Sequence, residues 1–346
     1  MHRSLPDKIT TEDELDEVMT RPSAALVDFI RTLPSPLVIL GAGGKMGPTL
    51  AVLARRAAET ANHPLDVIAV SRFSDQQARD WLEARGVQTL SCDLMDRDAV
   101  ARLPNADNVI YLVGLKFGTS DSPSTTWAVN TLVPALVAER YSGARIAALS
   151  SGNVYPLVAV GGPRSKEQDP LTPLGEYANS CVARERLFEH FSRVNDTRMT
   201  LVRLSYAVDL RYGVLYDIAR AVSKGRPVDV TMGHLNCIWQ GDANDSVIRS
   251  LALAGSPAAP INLTGLKVLS IRRVAERMAA LMNAPLTLTG AEAGSAFLSD
   301  TTEMAAQLGE PPTDIDAVIH WTSTWVLAGG RSLNKPTHFE VRDGKY

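Results

Sequence analysis

Cysteine is scarce in this chain: Cys92, Cys181 and Cys237 are the only three in 346 residues. An odd and sparse set excludes a disulfide framework and points to a reducing compartment. Long apolar runs are also missing. No segment approaches the roughly 20 apolar residues that a spanning helix needs, so no membrane association is expected. Neither sign of charge dominates. The formal net charge of −3 gives no electrostatic support to nucleic acid or an anionic membrane as a partner. The opening MHRSLPDKITTEDELDEVM is polar and acidic, unlike a signal or transit peptide, so a cytoplasmic location is expected. The six histidines form no H-E-x-x-H set, and His234 with Cys237 in HLNC has no second pair of ligands. No metal site is expected. The G-x-S-x-G elbow of a serine hydrolase is missing as well.

What is present suffices for a large core: 45% of residues are hydrophobic and 21% charged, and the length suggests two lobes. Residues 1–35 read as a helical prefix ending at Pro34. Strand-like runs then follow at 36–40, 66–70, 87–90, 108–114, 145–151 and 199–205, separated by helix-like stretches near 46–60, 74–85, 124–141 and 174–194. Short apolar strands alternating with longer helices predict an α/β doubly wound parallel sheet covered on both faces, over 36–205. From 206 to 330 the pattern turns mainly helical, near 214–224, 241–255, 270–282, 300–308 and 314–328. Short strands are expected there near 228–231 and 260–263. This second part reads as a smaller substrate lobe over the carboxyl edge of the sheet. The last stretch, 331–346, reads as a polar tail without periodicity.

In LVILGAGGKMGPTLAVLARRA a strand leads through Gly41, Gly44 and Gly47 into a helix. Glycines there permit a tight turn and close approach of backbone to a pyrophosphate, and the helix N-terminus offers unpaired N–H groups. A glycine triplet alone is a weak signal; its place between strand and helix strengthens it. The second strand ends in IAVSRF, where a dinucleotide site often carries an acid for the adenosine ribose. Ser71 and Arg72 stand there instead. With no acid to repel a 2′-phosphate and an arginine to pair with it, NADP(H) is favoured over NAD(H), and Lys45 adds positive charge. Asp93, in SCDLMD, is placed to accept a hydrogen bond from adenine. The bland alternatives are a structural turn and solvated surface charges.

Together these residues resemble the extended short-chain dehydrogenase/reductase superfamily, of the NAD(P)-dependent epimerase/dehydratase type, over about residues 36–285. Besides the glycine loop, the resemblance rests on DNVIYLVG, AVNTLVPALV with Asn130, ALSSGNVYP, EQDPLTPLGEYANSCVARE, QGDAND and INLTGLKVLSIRRVAERM. It implies a Rossmann domain, hydride transfer at a nicotinamide, and a carbinol or ketone substrate of a sugar-like or hydroxylated small molecule. Ser151 falls where the family holds the reacting oxygen, and Tyr177 where it keeps its general acid/base. The family's lysine position, four residues beyond that tyrosine, is Cys181 here, which reads as a small buried filler. Lys116, Arg184 and Lys166 are candidate substitute cations, with Lys116 favoured for its loop at the carboxyl edge. The segment VRLSYAVDLRYG departs from the family pattern at Tyr206 and Asp209, so an altered substrate pocket is expected. The cofactor-binding set implied is Gly41, Gly44, Lys45, Met46, Gly47, Ser71, Arg72, Asp93, Leu94, Val113, Gly114, Asn130 and Tyr177. The family's pairing of two such helices between subunits implies a homodimer. Three functions stay open: an oxidoreductase, epimerase or dehydratase; a catalytically impaired NADP-binding regulator; and a structural assembly partner.

Overall fold

Seven strands form the central sheet: β1 (Leu37–Leu40), β2 (Val67–Ser71), β3 (Gln88–Ser91), β4 (Asn108–Tyr111), β5 (Arg145–Ser151), β6 (Arg198–Leu204) and β7 (Ala259–Leu263). Their spatial order is β7-β6-β5-β4-β1-β2-β3, and every pairing is parallel. The structure is a computed structural model, and it describes residues 5–116, 118, 121–335 and 337–345. The first four residues of the expected prefix, and Pro336 and Tyr346 of the expected tail, lie outside that set. Strands β1 and β4 are buried at every residue, which is why they read as unbroken apolar runs. Strand order reverses between β1 and β4, and this leaves a crevice at their carboxyl ends.

The helices that cover the sheet and build the smaller lobe include α1 (Glu12–Met19), α2 (Ala24–Ile30), α3 (Gly47–Thr60), α4 (Gln76–Glu83), α5 (Pro123–Trp127), α6 (Val133–Arg140), α7 (Gly175–Asn195), α8 (Val214–Ser223), α9 (Gln240–Arg249), α10 (Ile271–Met282) and α11 (Ile315–Leu327). One face of the sheet packs on α2, α3 and α9, through residues such as Leu26, Leu50, Leu53 and Val247. The other packs on α6 and α7 through Leu136, Val137 and Phe188. A second core, built from α1, α8, α10 and α11, includes Trp239, Trp321 and Trp325.

The helix expected over 124–141 is not uniform. A π turn, Ala128–Leu132, joins α5 to α6. Pro134 has no N–H to donate to the carbonyl four residues back, and widening the preceding turn relieves that defect. The widened turn carries Asn130, fully buried.

Three expectations of the domain layout change. The strand anticipated near 260–263 in the smaller lobe is β7, which extends the main sheet beside β6. Helix α9 likewise returns to cover the sheet against α3, so the division at 205/206 is crossed by later chain. The prefix holds two helices and serves both cores, α1 the smaller lobe and α2 the sheet face. The tail has no helix or strand among its described residues, yet it is tied down. Thr337 donates through N–H and hydroxyl to Asp217, Arg342 donates to Ser295, and Gly344 abuts Leu174 and Gly175.

Candidate active site

The glycine loop occupies the crevice. Gly41 has φ +82°, and a Cβ there would press on Val113 at 2.9 Å. Side chains rarely adopt that backbone conformation. At Gly47 a Cβ would collide with the Ala42 carbonyl, so the helix start can sit against the loop only with glycine. Helix α3 begins without a side-chain cap, with proline in its first turn. Its remaining first-turn N–H groups are donors awaiting an acceptor.

Two adjoining cavities open along the carboxyl edge and share Gly41, Gly44, Leu112 and Gly114. The first, about 270 Å³, is lined by Lys45, Met46, Gly47, Lys116, Ser151 and Tyr177, together with residues 204–208, Tyr212, Phe297 and Thr337. The second, about 280 Å³, is lined by Gly43, Ser71, Arg72, Asp93, Leu94 and Val113 among others. Every residue expected to contact cofactor lies on one cavity or the other except Asn130. That side chain is packed behind the wall instead. Its Oδ1 accepts from the Leu115 N–H at 2.9 Å and its Nδ2 donates to the Leu115 carbonyl at 3.1 Å, which pins the loop carrying Lys116.

Strand β5 ends at Ser151, where the hydroxyl caps a short 3-10 turn by accepting from the Asn153 N–H. Helix α7 brings Tyr177 to the wall of the same cavity, where the Ser151 hydroxyl, which donates to Asn153 Oδ1 at 3.0 Å, helps to favour the phenolate form. Burial, and then the neighbouring Cys181, push the Tyr177 phenol well above the ordinary tyrosine value, while Arg184 and Ser151 pull it back. Burial acts this way because it disfavours the charged phenolate. The phenol therefore holds its proton firmly near neutrality. Cys181 is fully buried among Val154, Tyr155 and Val182, and burial raises its thiol. It is a filler, as expected.

The substitute cations are placed differently. Lys116 lines the cavity with its ammonium over the face of the Tyr177 ring, 5.8 Å from the centroid, and burial pushes it down to about 8. Arg184 is buried beneath the wall, donating to the Leu149 carbonyl at 2.9 Å and to Asn130 Oδ1 at 2.8 Å. It is Arg184 whose charge favours the phenolate form of Tyr177. Its i+7 spacing from Tyr177 puts the two residues on roughly the same helix face. Lys166 lies on neither cavity; its N–H caps onto Asp169. Lys45 departs furthest from expectation. Its ammonium lies off the second cavity, donating to the Ala207 carbonyl at 2.9 Å and lying 4.0 Å above the Tyr212 ring.

Behind Ser151 lies a buried polar network. Arg203 of β6 donates in fork fashion to Glu185 of α7, with Nη2 to Oε2 at 2.7 Å, and also to the Tyr155 hydroxyl and the Glu167 carbonyl. The Tyr155 hydroxyl donates to Asn262 Oδ1 at 2.8 Å, and the Ser150 hydroxyl donates to Glu185. These residues belong to the family-like motifs of the sequence but lie behind the reacting edge, where they lock β5, β6, β7 and α7 together.

A doubly wound α/β protein with a glycine-loop crevice, and a serine–tyrosine pair at its edge, is the class that fold and site define. The chain belongs to the NAD dependent epimerase/dehydratase family, whose model matches residues 37–228. Solved structures agree in fold. The dTDP-glucose 4,6-dehydratase DesIV from Streptomyces venezuelae, solved with NAD, superposes with TM-score 0.72 at 15% identity, covering 84% of this chain and 97% of that one. The UDP-glucuronic acid 4-epimerase from Bacillus cereus, in complex with NAD, gives 0.71 at 13%, with 84% and 98% covered. The UDP-glucose 4-epimerase of Thermotoga maritima, with UDP-glucose, gives 0.70 at 13%, with 85% and 99% covered. Among curated protein sequences none matches this chain. No helix among the described residues is long and apolar enough to cross a membrane.

Proposed function

We propose that the protein is a nicotinamide-dependent oxidoreductase of the epimerase/dehydratase type acting on the carbinol or ketone of a hydroxylated small molecule. The observation that carries this reading is the convergence of Ser151 and Tyr177 on one cavity that shares its wall with the glycine-loop crevice. The glycine cradle and uncapped helix fit a dinucleotide diphosphate. When bound, the cofactor supplies a ring that gives or takes hydride at the reacting carbon. Ser151 holds the substrate oxygen and Tyr177 moves its proton. Because the phenol holds its proton, the direction served best is carbonyl reduction, with Tyr177 as acid. Lys116 lies against the ring face and Arg184 tempers the phenol from below. These two cations share the work of the family lysine, at whose position we read Cys181.

Within a family described as NAD dependent, we assign this member to NADP(H). Ser71 and Arg72 line the adenosine cavity, and the nearby Asp75 carboxylate is engaged in capping α4 through the Gln77 and Ala78 N–H groups. Exposed Trp127, Leu132 and Leu174 lie on or beside the α5–α7 face, which we assign to a homodimer. Three buried cysteines, none in a disulfide, suit a cytoplasmic protein. The second reading, an impaired NADP-binding regulator, draws on the raised Tyr177 phenol and Cys181.

Side-by-side titration with NADPH and NADH, followed by nicotinamide fluorescence, tests the cofactor. NADPH should bind roughly tenfold more tightly, as one charge-assisted pair allows. A carbonyl screen with Tyr177→Phe tests the chemistry: turnover should fall about 10²–10⁴-fold with little change in cofactor affinity. Turnover that survives the change overturns the role of Tyr177; cofactor binding with no turnover on any carbonyl selects the regulator. Failure of both nucleotides to bind overturns both readings.

A further inference from the structure

The first cavity has an unusual charge pattern. Its lining includes two lysines, Lys45 and Lys116, and no aspartate or glutamate among the described residues. Lys45 is the more telling. Its side chain is half-buried on the cavity wall and its ammonium carries three donors, yet the one hydrogen-bond acceptor it meets among the described residues is the Ala207 carbonyl. The acid that acts on it most strongly, Asp209, is already engaged by Arg211, which donates from its backbone N–H, Nε and Nη2. Asp217 is engaged by Thr337. A partly buried cation without a contacting counter-ion is unfavourable, and the imbalance ends when a ligand brings the missing charge.

The adenosine cavity does not supply that anion, because Lys45 is not on its lining and its ammonium is held at the Ala207 carbonyl and over the Tyr212 ring. The diphosphate proposed at the glycine loop borders the same first cavity, and the titrations with and without NADPH tell the two anions apart. Lys45 faces the side where β6 leads into residues 204–208 and where Phe297 and Thr337 close the cavity. Its volume, about 270 Å³, falls below the roughly 300–1,000 Å³ usual for drug-sized ligands, and a nicotinamide ring has to share it. A small substrate suits that space better than one carrying a whole nucleotide diphosphate.

We propose that this pocket takes a small oxyanion, a hydroxy or oxo compound bearing a carboxylate or phosphate ester, with Lys45 as the anion-binding residue and Lys116 as the second positive wall. The inference deepens the proposed function by naming the substrate class, and it rests on that reading for the reacting carbon alone. The anion site itself is a property of the protein with or without cofactor.

Calorimetric titration of the full chain, both alone and loaded with NADPH, uses inorganic phosphate, glycolate, glycerol and UDP as probes. Phosphate or glycolate should bind saturably, whichever matches the natural headgroup binding more tightly; glycerol should not, and UDP should bind no more tightly than the better anion. Lys45→Met should weaken that anion about 10–100-fold, as loss of a charge-assisted hydrogen bond predicts. Lys45→Arg should retain it, which separates lost charge from lost fold. The NADPH titration should be nearly unchanged in both variants.

Three results overturn the proposal: no anion binding to the wild type, equal anion affinity in Lys45→Met, or UDP binding far more tightly than either small anion. A fourth, loss of NADPH instead of anion in Lys45→Met, would transfer the residue to the cofactor and overturn it too. If NADPH fails to bind the wild type, the oxidoreductase reading falls, while the titrations without cofactor still decide the anion site.

Discussion

Lys45 shows how one side chain can be costly in the empty protein. Burial first, with help from Arg211 and Lys116, pushes its ammonium down to about 7 from an ordinary 10.5, against the attraction of Asp209 and Asp217. Below about 7 the amine is charged in both folded and unfolded chains, so the full cost of burying the charge is present. Between about 7 and 10.5 the folded amine is neutral while the unfolded one keeps its proton. The cost then fades, and stability rises with pH. In a buffer poor in anions, Lys45→Met should therefore stabilise the protein by on the order of 2 kcal/mol near pH 6 and by little near pH 10. Urea denaturation at both values checks this. Destabilisation at both would mark Lys45 as a peg for the Ala207 carbonyl. Residues that improve function at the expense of stability are expected at sites that await a ligand.

At the scale of elements, helix α7 joins core and chemistry. It buries Ala178, Cys181, Arg184, Glu185, Phe188 and Ser192, a stripe at three- and four-residue spacing that faces the sheet. Two charges on that stripe are tolerated because each is matched. Glu185 meets Arg203 at 2.7 Å, with both side chains almost wholly buried, and Arg184 finds the Leu149 carbonyl and Asn130. Removing one partner of a buried pair leaves the other charge stranded. Glu185→Gln should thus cost about 3–5 kcal/mol in equilibrium denaturation, whereas Glu185→Gln combined with Arg203→Met should recover part of the loss. Equal damage in the single and double variants would show that the pair does not act as a unit. Since Ser150 also donates to Glu185, the single variant should lower turnover as well, through the strand end that presents Ser151.

At the scale of the whole molecule, the two lobes are interleaved rather than strung in series. The chain enters through α1 in the smaller core, passes to the sheet through α2, leaves after β6, and returns through α9 and β7. Arg211 ties the two ends of this path: it pairs with Glu12 and Asp16 of the prefix and with Asp209, beside the segment that carries Ala207. The prefix therefore braces the first cavity from behind. The outer face of α5–α7 is a different matter, with Trp127 38% and Leu132 41% exposed. Exposed large apolar side chains on one face suit an interface. Sedimentation at micromolar concentration should give a dimer, and Leu132→Glu should shift it toward monomer. A wild-type monomer throughout would remove the homodimer from the reading.

How much of this was legible depends on the range of the forces involved. Alternating short apolar strands and longer helices, and glycines between strand and helix, are local patterns; by themselves they determined the parallel sheet and the crevice, while the candidacy of Ser151 and Tyr177 came from the family resemblance. Lys116 and Asn130 were also visible as candidates, although Asn130 proves to brace the wall rather than line the cavity. The tertiary structure alone decided where the side chain of Lys45 points, because that depends on a carbonyl 162 residues away. It alone placed β7 in the main sheet, since a short apolar run reads the same in either lobe. It alone brought Thr337 to the cavity from a tail that has no periodicity to read. Sequence pattern reports which residues must be buried along one element. Which distant elements bury them, and which charges that leaves unmatched in a shared cavity, is settled only when the whole chain packs.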